Sequence, residues 1–117
     1  MAVGKSSDGR RVFGTVTSMS TGDPVGGLRV IAMDKDVLFD DLLGQAITDE
    51  NGRYQIHYGV EDFRDVFERA PDIYLIVVDE DRVIGDTRQT LVRQAPLDRE
   101  MNVQVPERPN PLGPTPD

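Results

Sequence analysis

Apolar and polar side chains alternate from Arg53 to Tyr58, with Tyr54, Ile56 and Tyr58 set against Arg53, Gln55 and His57. A period of two marks a strand with one face in a core and the other in water. Met101, Val103 and Val105 repeat the pattern near the end of the chain. Arg11 to Thr17, Leu28 to Met33, Gly44 to Thr48 and Arg82 to Leu91 are further strand candidates, β-branched or aromatic in content and bounded by turn residues. Ile73 to Val78 is apolar at every position, which predicts a strand covered on both faces or one near the centre of the core. The expected cover is a short helix near 61–69, because Val60, Phe63, Val66 and Phe67 fall on one helical stripe and Pro71 would end it.

Turn signals recur between these segments: Thr21-Gly22-Asp23-Pro24, Gly26-Gly27, Asp49-Glu50-Asn51-Gly52, Asp79-Glu80-Asp81 and Ala95-Pro96-Leu97-Asp98. Short strands between closely spaced turns predict an all-β, antiparallel sandwich of seven or eight strands. Asp49 and Asn51 are expected to cap a tight turn with Gly52 at positive φ. Residues 1–10 are small and polar and read as an N-terminal tail, 11–105 as one domain, and 106–117, with five prolines, as a Pro-rich tail or linker.

The 117 residues suffice for one core and not for two. A formal charge of -8 repels phosphate backbones and anionic lipid, so neither nucleic acid nor direct membrane binding is expected. A protein partner, or a second copy of the chain, fits better. The absence of cysteine excludes disulfides and thiolate metal sites. Residues 1–11 contain no apolar run of the kind that opens a secretory signal, and no stretch reaches the roughly 18 apolar residues of a membrane helix. The expected location is cytoplasmic at synthesis, with export as part of a larger assembly as the other route.

Candidate chemistry is sparse. His57 is the one histidine, so it is the sole general base with an ordinary pKa near neutrality, and it stands on the polar side of its strand. There is no Gly-x-Ser-x-Gly elbow, no phosphate-cradling loop and no His-Glu-x-x-His helix. No catalytic constellation and no cofactor are therefore expected. Residues 34–52 hold Asp34, Asp36, Asp40, Asp41, Asp49 and Glu50 against Lys35 alone. Asp34, Asp36, Asp40 and Asp41 are weak calcium candidates, since the stretch lacks the glycine and closing glutamate of an EF-hand, and a solvated acidic face is the simpler reading. Val37, Leu38, Phe39, Leu42 and Leu43 lie among those acids. Apolar side chains rimmed by charge can form a recognition surface, so Val37, Leu38, Phe39, Asp40, Asp41, Leu42 and Leu43 are the partner-binding candidates. The alternative is that Leu38 and Leu42 tuck beneath the sandwich.

Three stretches in order carry a family resemblance: Val12-Phe13-Gly14-Thr15-Val16 leading to Pro24-Val25-Gly26-Gly27-Leu28-Arg29-Val30, then Asp40-Asp41-Leu42-Leu43-Gly44, then Thr48-Asp49-Glu50-Asn51-Gly52-Arg53-Tyr54. Over residues 11–105 the chain resembles the transthyretin-like, or prealbumin-like, β-sandwich superfamily, which includes carboxypeptidase regulatory-like domains and adhesin B-type repeats. The resemblance implies a sandwich often appended to larger toxins, injection machines or surface proteins. The enzymes of that superfamily, the hydroxyisourate hydrolases, rely on several histidines and a terminal Tyr-Arg-Gly-Ser. This chain has one histidine and ends in Pro-Thr-Pro-Asp. Some adhesin-type relatives carry an isopeptide crosslink, but Lys5 and Lys35 both fall outside the expected core strands, so none is expected. The sequence thus points to a non-catalytic interaction, attachment or assembly module. A carbohydrate- or small-ligand-binding module is the alternative, and a hydrolase of the hydroxyisourate type comes third. With three tyrosines, four phenylalanines and no tryptophan, the chain offers few rings for sugar stacking.

Overall fold

A computed structural model describes residues 10–36, 39–59, 71–93, 95–96 and 98–106. The helix expected near 61–69, most of both tails, and Val37 and Leu38 lie outside the described residues. Among the described residues there are eight strands: β1 (Arg10–Ser18), β2 (Arg29–Asp34), β3 (Asp41–Ile47), β4 (Arg53–Tyr58), β5 (Ile73–Asp79), β6 (Arg82–Asp86), β7 (Asp98–Glu100) and β8 (Val103–Val105). They form two sheets. The first runs β4-β1-β7, with β8 continuing along the same edge of β1; the second runs β3-β2-β5-β6.

The alternation seen in the sequence decides which side chains enter the space between the sheets. Val12 and Val16 of β1, Tyr54, Ile56 and Tyr58 of β4, and Val103 and Val105 of β8 meet Val30 and Ala32 of β2 and Ile73, Leu75 and Val77 of β5 in one buried cluster. Arg53, Gln55 and His57 point the other way, into solvent. Burying each large aliphatic side chain contributes about 1.5–3 kcal/mol, so this cluster is the main source of stability.

Pairing within the second sheet is antiparallel throughout, as is β1 with β4. β7 and β8 depart from the antiparallel expectation: both run parallel to β1, against residues 11–13 and 16–18 respectively. The switch between them occurs opposite Gly14. A Cβ there would lie 2.1 Å from the Met101 carbonyl oxygen, so only glycine lets the chain cross at this point. The Met101 N–H donates to the Phe13 carbonyl at 2.7 Å, the Asn102 side chain accepts from the Thr15 N–H at 2.9 Å, and the Tyr54 hydroxyl donates to the Met101 carbonyl at 2.6 Å. Backbone polar groups left unpaired where β7 ends are thereby satisfied.

Two connections position the surface discussed below. Asp49 closes the β3–β4 turn by accepting the N–H groups of Asn51 and Arg53 on one carboxylate oxygen, and Gly52 has φ of 73°. The β2–β3 pairing slips between Ala32 and Met33, so that Gly44 opposes Ala32 while Leu42 opposes Met33. The extra residue, Leu43, turns inward and is buried, and Leu42 faces out. The strand expected from Arg82 to Leu91 stops at Asp86. Asp86 accepts the Arg88 N–H, and a 3-10 turn follows over Arg88–Thr90.

Candidate interaction surface

The partner-binding candidates divide between a connection and a strand. Phe39 is 79% exposed, Leu42 is 54% exposed and Leu43 is buried. Asp41 through Leu43 therefore belong to β3 and not to a loop, and it is Leu43, in place of Leu42, that tucks between the sheets. Asp40 is fastened to the second sheet. One of its carboxylate oxygens accepts the Tyr74 hydroxyl at 2.5 Å, and the other accepts the Asp36 N–H at 3.0 Å and lies 3.7 Å from the Lys35 ammonium. The Tyr74 bond, foremost among these, holds the Asp40 carboxyl below its ordinary value. Burial, aided by the same bond, pushes the Tyr74 hydroxyl up to about 12. The Arg88 guanidinium covers the Tyr74 ring at 4.9 Å from its centroid.

Asp34 faces Asp41 across the β2–β3 pair and accepts the Asp72 N–H at 3.0 Å. Burial lifts its pKa to about 6, the Asp72 N–H opposes the rise, and Asp41, Asp72 and Asp36 add to it. The calcium candidates are thus tied into the protein's own hydrogen bonds at Asp34 and Asp40. Among the described residues no three acidic or histidine side chains converge as metal ligands.

Strand register, combined with burial, shows what lies outside the second sheet. Arg29 stands between Ile47 and Val78, and Val78 is followed by Val83. In the next row, Gln45, Ile31, Ile76 and Asp86 follow one another across the four strands. In the third, Leu42, Met33 and Tyr74 do so, with Tyr74 covered by Asp40 and Arg88. Ile47 is 58% exposed and Val83 62% exposed, while Ile31, Met33, Ile76 and Val78 are half-buried. Seven apolar side chains thus share one outward sheet face with only Arg29, Gln45 and Asp86 among them in the first two rows. Sequence reasoning found Leu42 but missed Ile31, Met33, Ile47, Ile76, Val78 and Val83 as a surface. Their signal was present in the uninterrupted apolar runs of β2 and β5, which lack the polar outward positions of β4.

The outward face of the first sheet is polar by contrast. Arg11 bonds Gln55 at 3.0 Å and Asp98 at 3.1 Å, and its guanidinium lies 4.1 Å from the centroid of the Phe13 ring. His57 bonds Gln55 at 2.8 Å. An amide neither accepts a proton from the imidazole nor serves as a nucleophile, so this contact orients the ring without activating it.

No family model matches the chain, and no curated protein matches it. Among solved structures, a 9R-lipoxygenase from Cyanothece PCC8801 is similar, with 26% identity and a TM-score of 0.63. That alignment covers 86% of this chain and 17% of the lipoxygenase. The dioxygenase domain of a dioxygenase carbohydrate-binding protein fusion from the cellulolytic bacterium Streptomyces sp. SirexAA-E aligns at 16% identity and a TM-score of 0.46, over 85% of this chain and 79% of that one. At that score the second likeness carries no argument. The first says that this arrangement of strands occurs as a small part of a much longer chain.

Proposed function

We propose that the chain is a non-catalytic protein-interaction and attachment module, a sandwich of the transthyretin-like kind, working within a larger polypeptide or assembly. The observation that carries the reading is the outward face of the second sheet. Ile47, Val83 and Leu42 are each more than half exposed and are bridged by Ile31, Met33, Ile76 and Val78 into one apolar surface. A contiguous apolar patch on an acidic domain weakens its solubility unless something covers it. Alignment to 17% of a lipoxygenase chain supports a module serving larger proteins, and that enzyme's activity belongs to a chain of which the matched part is a minor share.

Site-specific photo-crosslinking tests the proposal. A benzophenone side chain replaces Val83 on the apolar face, and in a second protein replaces Gln55 on the polar face. Protein adducts formed from position 83 and not from position 55, in extract of the source cells, support the reading. Equal labelling from both positions, or none from 83, overturns it.

A further inference from the structure

We propose that Asn51 is a site of spontaneous covalent modification, converted to aspartate and isoaspartate through a cyclic imide, and that the Asp49 turn sets its rate. The reaction joins the Gly52 nitrogen to the Asn51 side-chain carbon Cγ. The nitrogen gives up its proton to water, its electron pair forms the new bond, and the carboxamide nitrogen departs as ammonia. Water then opens the imide ring at either carbonyl, and nothing is oxidised or reduced. Opening at Cγ leaves aspartate in an ordinary backbone. Opening at the main-chain carbonyl leaves isoaspartate, with the backbone lengthened by the Cβ of residue 51.

Three asparagines occur in the chain, and their surroundings separate them. Asn110 precedes Pro111, whose nitrogen carries no proton to lose. Asn102 precedes Val103, which is β-branched and buried, and its own side chain is engaged at both ends, accepting the Thr15 N–H at 2.9 Å and donating to Glu100 at 3.3 Å. Asn51 is exposed, and among the described residues its side-chain amide makes no hydrogen bond. The glycine that follows it puts no side chain beside the attacking nitrogen.

The turn opposes the reaction. The Gly52 N–H donates to the Asp49 carbonyl at 2.8 Å, and the N–H groups on either side of it, of Asn51 and Arg53, are both pinned to one Asp49 carboxylate oxygen at 2.8 and 2.9 Å. The nitrogen cannot swing onto Cγ without breaking these bonds, and the carboxylate repels the negative charge that develops on it. Reaction therefore proceeds from the opened turn. The fold also discriminates between the products. Gly52 is wedged so closely that a Cβ on it would lie 2.6 Å from the Val16 carbonyl oxygen, and its own carbonyl accepts the Val16 N–H at 2.8 Å. An extra backbone carbon before Gly52 finds no room, so isoaspartate loosens the β3–β4 hairpin where it meets β1, and aspartate does not.

The test holds the full chain at mildly alkaline pH, folded in one sample and unfolded by guanidinium chloride in another, and follows the tryptic peptide 36–53 by chromatography and mass spectrometry. Ammonia loss should occur at Asn51 and at neither Asn102 nor Asn110, and should be slower in the folded sample by about tenfold or more. Asp49→Ala, checked for folding by circular dichroism, should raise the folded rate about tenfold. The refolded isoaspartate chain should melt below Asn51→Asp, which reproduces the other product and should melt close to wild type. An unfolded chain that keeps the Asn51 amide overturns the proposal. So does a folded chain that reacts as fast as the unfolded one, a folded Asp49→Ala with an unchanged rate, or an isoaspartate chain that melts like Asn51→Asp. Should Asp49→Ala fail to fold, the comparison of folded with unfolded wild type decides the role of the turn.

Discussion

Tyr54→Phe removes a single oxygen from the place where the two parallel strands hand over to one another. The Tyr54 side chain is buried, its hydroxyl donates to the Met101 carbonyl at 2.6 Å, and the residue paired with it on β1 is Gly14, whose missing side chain leaves room for that carbonyl. Loss of a buried neutral hydrogen bond, with its acceptor left dry, costs about 1–2 kcal/mol. For a domain of this size the urea m-value is about 1 kcal/mol/M, so the midpoint should fall by about 1–2 M with the slope unchanged. A pH series separates the bond from general loosening. Burial pushes the Tyr54 hydroxyl well above its ordinary 10.0, so above pH 10 the unfolded chain releases a proton that the folded chain keeps. Stability of the wild type then falls as pH rises beyond that point, by about 1.4 kcal/mol per pH unit for this one group. Phenylalanine has no such proton, so the gap between variant and wild type should narrow by about 1 kcal/mol between pH 10, where the unfolded tyrosine is half ionised, and pH 11. A midpoint shift below about 0.3 M at neutral pH, or a gap that does not change with alkaline pH, would refute the assignment of Tyr54 as donor to Met101.

Gly14→Ala should be worse than Tyr54→Phe, because the added carbon meets backbone that cannot swing aside; a loss of about 3 kcal/mol or more by urea titration, or failure to fold, is expected. Thr48→Val keeps the shape but strips the hydroxyl that donates to the Val25 carbonyl at 2.8 Å and accepts the Leu28 N–H at 3.0 Å, so thermal melting should show a loss of about 2–3 kcal/mol. Asp34→Asn keeps an acceptor for the Asp72 N–H but cannot ionise. Because the Asp34 carboxyl is raised to about 6 from 3.8, the folded wild type binds the extra proton between those values and gains stability as pH falls through 6 toward 4. Melting temperature should therefore rise for the wild type between pH 7 and pH 5, and that part of the rise should be absent in the variant. Millimolar calcium, or a chelator, should leave the wild-type melting temperature unchanged, given how Asp34 and Asp40 are bonded.

Features set by neighbours in sequence were the legible ones. The inward trio Tyr54, Ile56 and Tyr58 follows from a period of two, and the Asp49 turn from an acceptor side chain two residues ahead of a donor with glycine behind. β7 could not be read, since Asp98, Arg99 and Glu100 are all exposed; backbone pairing to β1 and the Arg11–Asp98 contact hold it. Nor could the slip opposite Met33, which moves Asp41 and Leu42 into a strand and decides which leucine is buried; that depends on a partner strand and leaves no periodic trace. Arg82 to Leu91 looks like one strand until Asp86 captures the Arg88 N–H. The apolar outward face of the second sheet was hidden for a related reason. An unbroken apolar run tells that both faces of a strand are greasy, and register alone tells which residues become neighbours.

The parallel pairing of β8 with β1 has a mechanical consequence. Arg10 opens β1, while Val105 closes β8 opposite Ser18, so these two points sit at opposite ends of the first sheet, separated by the nine residues of β1, or about 27 Å. A pull applied between them runs along the strands. The rungs joining residues 16–18 to 103–105 are then loaded sideways and together, so they must give way as a block, whereas a sandwich whose end strands leave from the same side can be peeled one rung at a time. A tether anchored at both ends of this domain would load β1, a strand whose alternate side chains are buried in the core, before that pairing opened.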